Sequence, residues 1–98
     1  MDCRWISNSK IADFELLNVC IDYANGCITI ELRSPGNVED TLVFTNFIEI
    51  MVTRKEPWGP GKYIGASELI YQEQEIIAEI QLNSGDLIKI TMKETEGQ

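Results

Sequence analysis

Residues 17–32 read LNVCIDYANGCITIEL, and this stretch decides the fold. Apolar and polar residues alternate on both sides of Asn25-Gly26, which is the period of a half-buried β-strand. Asn-Gly is typical of a type I′ turn, because both residues tolerate a positive φ. Pairing outward from a two-residue turn sets Ile21 opposite Ile30 and places both apolar stripes on one face. The stretch therefore predicts an antiparallel β-hairpin.

The same register separates two of the three cysteines. Cys20 lies four residues along its strand from the partner of Cys27, which is roughly 13 Å at the usual rise of a strand. A disulfide cannot span that distance. Because the cysteines are odd in number and have no Cys-x-x-Cys spacing, the sequence indicates neither a disulfide framework nor a zinc site. We expect Cys3, Cys20 and Cys27 to be reduced thiols.

A second hairpin is indicated near the carboxyl-terminal end, around residues 83–85 (NSG). A three-residue loop with glycine in the left-handed position predicts that Ile80 faces Ile88. On the other face Glu79 then meets Lys89, an opposite-charge cross-strand pair. A two-residue turn would misalign the two apolar stripes, so the longer loop is expected.

The segment between the hairpins contains further strand signals. Residues 34–37 (SPGN) predict a turn, with a β-bulge near residues 38–39 that brings Leu32 and Leu42 onto one face. Residues 41–54 then predict one long strand or two, bent at Asn46.

Residues 64–71 predict another strand, with a short helix over residues 67–74 as the alternative. Together these signals predict an all-β fold, an antiparallel meander of six to seven strands. A small sandwich and a curled open barrel both fit. We expect a single domain over residues 1–98, with residues 1–9 and 94–98 peripheral or frayed.

Composition excludes several classes of function. The chain has 98 residues, 44% of them hydrophobic, and a formal net charge of −8 with no histidine. Without an imidazole, histidine-based catalysis and histidine metal ligation are excluded. An acidic chain is poorly matched to the phosphates of nucleic acids and to anionic membranes. The amino-terminal residues resemble no secretory signal, and no apolar run is long enough for a membrane span. We therefore expect a cytoplasmic protein that binds neither nucleic acid nor membrane.

Residues 54–63 (RKEPWGPGKY) differ in kind from the rest of the chain. The segment combines prolines, glycines and aromatic residues, and it carries three basic residues against one acid. A rigid loop that presents an aromatic side chain between basic ones predicts a site that binds an anion or an acidic partner, or one that anchors an interface. Its candidate residues are Arg54, Lys55, Trp58, Lys62 and Tyr63. The alternative, which we weigh as the better one, is that Trp58 folds back over an open end of the sheets.

The carboxylates give no comparable signal. Two groups of acids could gather into a cation site or an acid pair, namely Glu73, Glu75 and Glu79, and Glu31, Glu39 and Asp40. Strand alternation places such acids outward in solvent by default, and no calcium-loop or phosphate-loop motif is present. The serines have no histidine partner. The sequence therefore predicts no catalytic residue, no metal site and no cofactor.

Three short motifs resemble a known group of proteins. They are LVFTNF at residues 42–47, EPWGP at 56–60 and IQLNSGDLIKI at 80–90. The chain resembles small uncharacterised bacterial all-β proteins, some similar to immunity proteins of polymorphic toxin systems and others to proteins of mobile gene cassettes such as those of integrons. The resemblance implies no catalytic residues.

Two functions from different classes follow. The first is a non-enzymatic protein-interaction module, in the specific form of an immunity-type inhibitor that binds a basic partner by electrostatic steering. The second is a small-ligand binding domain with a cavity closed by the Trp58 loop. A carboxylate or Lys62 enzyme is a weaker third possibility. Outward apolar residues, namely Met51, Ile77 and Leu87, further predict a homodimer.

Overall fold

The structure is a computed structural model that describes residues 3–56 and 58–94, with side chains from Ile6 onward. Seven strands make up most of it. They are β1 (Glu15–Asp22), β2 (Cys27–Arg33), β3 (Glu39–Phe44), β4 (Phe47–Val52), β5 (Ile64–Gln72), β6 (Glu75–Leu82) and β7 (Leu87–Lys93). The helical segments among the described residues are two 3-10 helices, Cys3–Ser9 and Gly59–Lys62. The predicted all-β class is confirmed, and the strand over residues 64–71, rather than the helix, is correct.

The strands form two antiparallel sheets, which pack as a small sandwich. The first sheet has the order β1-β2-β3 and the second the order β4-β7-β6-β5. The chain changes sheets at Asn46, whose φ of 57° turns it between β3 and β4. The long segment 41–54 is therefore two strands. Since β4 lies beside β7 rather than β5, the second sheet has a Greek-key order, which departs from the predicted meander at this point.

The first hairpin is formed, but its predicted register is wrong by two residues. Ile21 faces Ile28, and the loop has four residues, with the Gly26 N–H donating to Tyr23 O at 3.2 Å. The cause is Asp22, whose carboxylate accepts hydrogen bonds from the main chain and side chain of Asn25 at 3.2 and 2.8 Å. A shift of two residues keeps every side chain on its face, so the apolar stripe survives.

This register brings the two described cysteines nearer than predicted. Cys20 faces Thr29 and Cys27 faces Asp22, so two residues separate the cysteines along the ladder rather than four. Both are free thiols. The side chain of Cys3 lies outside the described residues.

The second hairpin and the 34–37 turn differ in how well they were predicted. Ile80 faces Ile88 and Glu79 faces Lys89, as expected, and Gly85 has a φ of 92°. The β2–β3 ladder, by contrast, runs without a register shift from Arg33 onward, so the expected bulge near residues 38–39 is wrong within these described strands. The irregularity lies in the turn itself, where Asn37 adopts a φ of 69°.

The core lies between the sheets and extends to the amino-terminal segment. Both sheets contribute to the fully buried apolar residues, which include Ile28, Ile30, Leu32, Leu42, Phe44, Ile64, Ile80, Ile88 and Ile90. Ile6, in the first 3-10 helix, is also 0% exposed. The Ser67 hydroxyl donates to Ile6 O at 2.7 Å, and Ser9 Oγ accepts from Ser67 N at 3.0 Å. The expectation that residues 1–9 are peripheral is therefore wrong for Ile6 and Ser9.

Other expectations at the termini and surface have mixed outcomes. Residues 95–98, Met1 and Asp2 lie outside the described residues, whereas Glu94 N donates to Gln74 O at 2.9 Å. Met51 is 45% exposed, as predicted for an outward apolar residue. Ile77 is only 8% exposed, because Ile70 and Thr91 flank it on the neighbouring strands.

Candidate functional site

The unusual loop predicted from the sequence lies at one end of the second sheet. It connects β4 to β5, and its second half is the short 3-10 helix Gly59–Lys62. The turn between β6 and β7 lies beside it, since Asn83 N donates to Tyr63 O at 2.9 Å. The loop is therefore anchored to the ladder that the second hairpin builds.

Asp86 holds the first half of this loop in place. Its carboxylate accepts hydrogen bonds from Lys55 N at 2.9 Å, Glu56 N at 3.0 Å, and the hydroxyls of Thr53 and Ser84, both at 2.9 Å. Asp86 is only 3% exposed. The backbone N–H groups of Glu56 and Lys55 are the main reason that the pKa of Asp86 is held far below its ordinary value. The negative charge of Asp86 is therefore stabilised by main-chain N–H groups and not by a neighbouring cation.

Gly61 holds the second half. A Cβ at this buried position would lie 2.5 Å from Glu56 O and 2.9 Å from the Cβ of Ser84, so the loop packs here at a distance that only glycine allows. Gly61 N donates to Trp58 O at 3.2 Å. Both flanks of Trp58 are thus fixed to the same end of the sheet.

Trp58 itself projects into solvent. Its relative exposure is 67%, so the interpretation that it folds back over an open end of the sheets is wrong. A large aromatic side chain is usually buried in a small domain because it removes much apolar area from water. Here the backbone around it is fastened while the ring is left uncovered.

Lys62 does not contribute a free positive charge. Its Nζ lies 2.8 Å from Glu15 Oε2, and Arg33 lies 3.2 Å from the other oxygen of Glu15. The hydrogen bond from Lys62 is the main reason that the pKa of Glu15 is lowered, and the same contact raises the pKa of Lys62. Lys62 Nζ also lies 5.8 Å from the centre of the Tyr63 ring, within cation–π range. The local positive charge read from the sequence is therefore partly neutralised by a residue on β1.

Arg54 and Lys55 are exposed cations of the loop, as Lys62 is, but they differ from it in their partners. Neither forms an ion pair with any residue in the described part of the chain. Lys55 is held by its main chain on Asp86, whereas its side chain is exposed. Glu56 follows directly and is also exposed, so the net charge of the loop surface is small.

A cleft opens beside the loop. It has a volume of about 420 Å³ and is lined by Leu16 and Val19 of β1, Val52 of β4, Leu82 of β6, and the two cations Arg54 and Lys62. Trp58 does not line it, so it is not the Trp58-closed cavity that the sequence predicted. The five predicted site residues therefore separate into a cleft pair, Arg54 and Lys62, and an outward group that includes Trp58.

Sequence reasoning missed Asp86 and Glu15, which organise the loop. One signal for Asp86 was available: it precedes the inward stripe of β7 and falls opposite Leu82, where an acid must find donors. Glu15 carried no such signal, because it lies on a different strand, far from Lys62 along the chain. Among residues 6–56 and 58–94, whose side chains the structure describes, no three Cys, Asp or Glu side chains come together as a metal-binding group, so neither acid group weighed earlier forms a cation site there.

No family model, no curated protein and no solved structure matches the chain. Within the described residues, neither helical segment has the length and apolar character needed to cross a membrane.

Proposed function

We propose that this protein is a non-enzymatic protein-interaction module in which Trp58 is the anchor for a basic protein partner. The observation that carries the proposal is an exposed tryptophan on a loop whose flanks are fixed by Asp86 and Gly61. Binding by such a loop loses little backbone entropy, because the bound conformation already exists in the free protein.

Tryptophan is among the residues that most often dominate the energy of a protein interface. Its side chain buries a large apolar area when a partner covers it, and its indole N–H remains available for a hydrogen bond. Arg54 and Lys55 lie on the same loop, and exposed charges at an interface rim set orientation and association rate more than affinity.

The charge of the whole chain supports a basic partner. The formal net charge is −8, and among the loop cations Lys62 is paired with Glu15. The long-range field therefore attracts positive surfaces. The specific form of the proposal is an immunity-type inhibitor that captures a basic toxin in the bacterial cytoplasm, encoded within a mobile gene cassette.

Affinity capture from a bacterial lysate, with the purified protein immobilised, tests the proposal. The variant Trp58→Ala is compared with Tyr71→Ala, which removes another exposed aromatic side chain (65% exposed) far from the loop along the chain. We expect a partner of basic isoelectric point that the wild type and Tyr71→Ala retain and Trp58→Ala loses. Raising the salt concentration should weaken its capture, because exposed charges that speed association are screened beyond about 8 Å at physiological ionic strength.

Two results would overturn this function. One is a partner that binds Trp58→Ala as tightly as the wild type, which would place the interface elsewhere. The other is a partner with an acidic surface whose binding is insensitive to salt. Folding of each variant is checked by circular dichroism before capture.

The cleft supports a second candidate, the binding of a small amphipathic ligand. Its volume of about 420 Å³ is in the range of small-molecule sites, and Arg54 at its rim has no ion-pair partner among the described residues. Anilinonaphthalene sulfonate, an apolar anion, is a suitable probe. We expect one bound probe per chain, with affinity reduced in Arg54→Glu and unchanged in Lys89→Glu, which alters a lysine outside the cleft. Equal affinity in both variants would exclude the cleft as the site.

A further inference from the structure

We propose that the open edge of β4 pairs with β4 of a second copy of this chain, in an antiparallel two-fold arrangement centred on Ile50. This surface is separate from Trp58 and does not depend on the protein-interaction function proposed above, but it shares Val52 with the cleft. The pairing would join the second sheets of two copies into one continuous sheet.

The backbone of β4 has one unused edge. Among the described elements, only β7 is in extensive contact with β4, which ends the strand order on that side. Thr53 N donates to Leu87 O at 3.0 Å. Because ladder groups alternate along an antiparallel strand, the N–H and C=O groups of Val52 and Ile50 point away from β7. These groups are available to another strand.

One side chain of β4 is also uncovered on the face that should be buried. Val52 lies opposite Ile88 in the ladder and shares its face, yet Val52 is 48% exposed whereas Ile88 is 1% exposed. The first sheet therefore leaves the end of this edge uncovered at Val52, whereas Phe47 and Ile50 on the same face pack against the core. Ile48 is 53% exposed, and Met51, on the outer face, is 45% exposed. Apolar surface on both faces of an unpaired edge favours strand addition.

The other three edges are protected, as natural edge strands usually are. β5 is packed by the first 3-10 helix. β1 is joined to Tyr63 at Glu15, has a bulge after Leu16 and ends in an aspartate. β3 starts with two acids, Glu39 and Asp40. β4 has a bulge at its start but only one charged residue, Glu49, and no proline or lysine.

A second copy is the occupant that the edge of β4 fits, because the outward N–H and C=O groups of Ile50 and Val52 can bond to the same groups of another β4 about a two-fold axis. Two chains that each carry a formal charge of −8 repel one another, so they can associate only through a surface with little charge. β4 is that surface. Glu49 excludes one register, because pairing centred on Glu49 would set two glutamates opposite each other, which is destabilising. Pairing centred on Ile50 instead sets Glu49 opposite Met51 and uses the outward N–H and C=O groups of Ile50 in both copies.

Sedimentation equilibrium over micromolar to submillimolar concentrations tests the proposal with matched charge variants. Met51→Glu places a glutamate opposite Glu49 twice in each dimer, and we expect the dissociation constant to rise about ten-fold. Met51→Gln places a neutral side chain there and should retain the dimer. Val43→Glu is the control: Val43 is 46% exposed on the edge strand β3, and the substitution adds the same charge. It should change the constant far less than Met51→Glu. The double variant Glu49→Lys with Met51→Glu should restore pairing.

Hydrogen exchange locates the interface independently. The amides of Ile50 and Val52 should become protected as the concentration rises. Salt should tighten the dimer, since it screens two acidic copies, whereas it should weaken binding to a basic partner. The opposite effects of salt therefore allow the dimer and the binding of a basic partner to be tested independently of each other.

Several outcomes would overturn the dimer. A wild type that stays monomeric over the whole range would do so, as would equal loss of association in Met51→Glu and Val43→Glu. A dimer whose Ile50 and Val52 amides stay unprotected has its interface elsewhere. Protection of these amides only after a different protein is added would assign the edge to that protein's strand.

Discussion

A carboxylate that water barely reaches requires hydrogen-bond donors for its oxygens, and Asp86 obtains them from the main chain of the loop that carries Trp58. The Thr53 and Ser84 hydroxyls complete the set. The same carboxylate thus determines the course of residues 53–56. The first half of the loop that carries Trp58 is therefore held by Asp86.

We expect Asp86→Asn to lower Tm by about 5–15 °C, because the amide group would direct its own N–H toward backbone donors that need an acceptor. Asp22→Asn is the control, since Asp22 caps a turn that is open to water. It should change Tm by only a few degrees. Thermal unfolding followed by circular dichroism gives both values. In Asp86→Asn the amides of Lys55 and Glu56 should also exchange faster with solvent, and unchanged exchange would contradict the role given to Asp86.

For single residues, the sequence indicated which residues belong to the candidate loop, but not their exposure or their contact partners. The candidate residues Arg54, Trp58 and Lys62 were identified from composition alone. The exposure of Trp58 could not be, because it depends on Gly61 packing against the neighbouring turn. The ion pair of Lys62 with Glu15 depends on how β1 reaches the start of β5, which is a long-range contact without a local signal.

At the scale of elements, turn chemistry decided which registers could be predicted. The loop at residues 83–85 has a glycine where a left-handed residue is needed, and its register was predicted correctly. The loop at residues 23–26 was predicted too short. In it only Gly26 has a positive φ, while Asn25 is bound by Asp22. The hydrogen bonds of Asp22 to Asn25 favour a four-residue loop over a two-residue type I′ turn. The rule that Asn-Gly indicates a two-residue turn takes no account of such side-chain bonds.

We expect Gly85→Ala to destabilise the fold by about 1–2 kcal/mol, because φ is 92° at Gly85 and L-residues adopt such angles at a cost. No atom lies within 4 Å of the added Cβ, so the cost is one of backbone conformation alone. Gly36→Ala is the matched control in another turn, since its φ is not positive. It should be neutral or slightly stabilising. Chemical denaturation measures both, and equal losses would show that φ is not the cause.

At the scale of the whole molecule, the core includes a part of the chain that the strand pattern does not indicate, namely the amino-terminal segment. The strands and their class followed from alternation, but the contribution of the amino-terminal segment did not, because seven irregular residues have no period to detect. That segment covers β5 through Ile6 and through the hydrogen bonds between Ser9 and Ser67. The change of sheet at Asn46 also could not be predicted. A bend in an apolar run does not reveal which strand the following segment will pair with.

We expect Ile6→Ala to reduce the free energy of unfolding by about 2–5 kcal/mol, the range for a fully buried isoleucine. Ile21→Ala is the control. Ile21 is 51% exposed, so the loss there should be below about 1 kcal/mol. Urea denaturation distinguishes them. A small effect of Ile6→Ala would mean that the amino-terminal segment is dispensable for the core.

Among the described residues, the dependence of stability on pH should be set by four groups, since the chain has no histidine to titrate near neutrality. The pKa values of Asp86, Asp22 and Glu15 are held below their ordinary values of 3.8, 3.8 and 4.5, so all three carboxylates stabilise the fold at any pH above those values. Their contribution is lost as the pH falls through the lowered folded-state values. The pKa of Lys62 is raised above 10.5, so its contribution is complete below that pH and lost above it.

Urea denaturation at a series of pH values should therefore give a plateau between about pH 6 and pH 8 and a fall in acid. In Asp86→Asn the plateau should be lower and the acid fall shallower, since the substitution removes one of the groups that titrates. The difference between wild type and variant should thus narrow as the pH falls below the ordinary value of an aspartate. A difference that stays constant down to the acid limit would mean that Asp86 stabilises the loop by its shape and not by its charge.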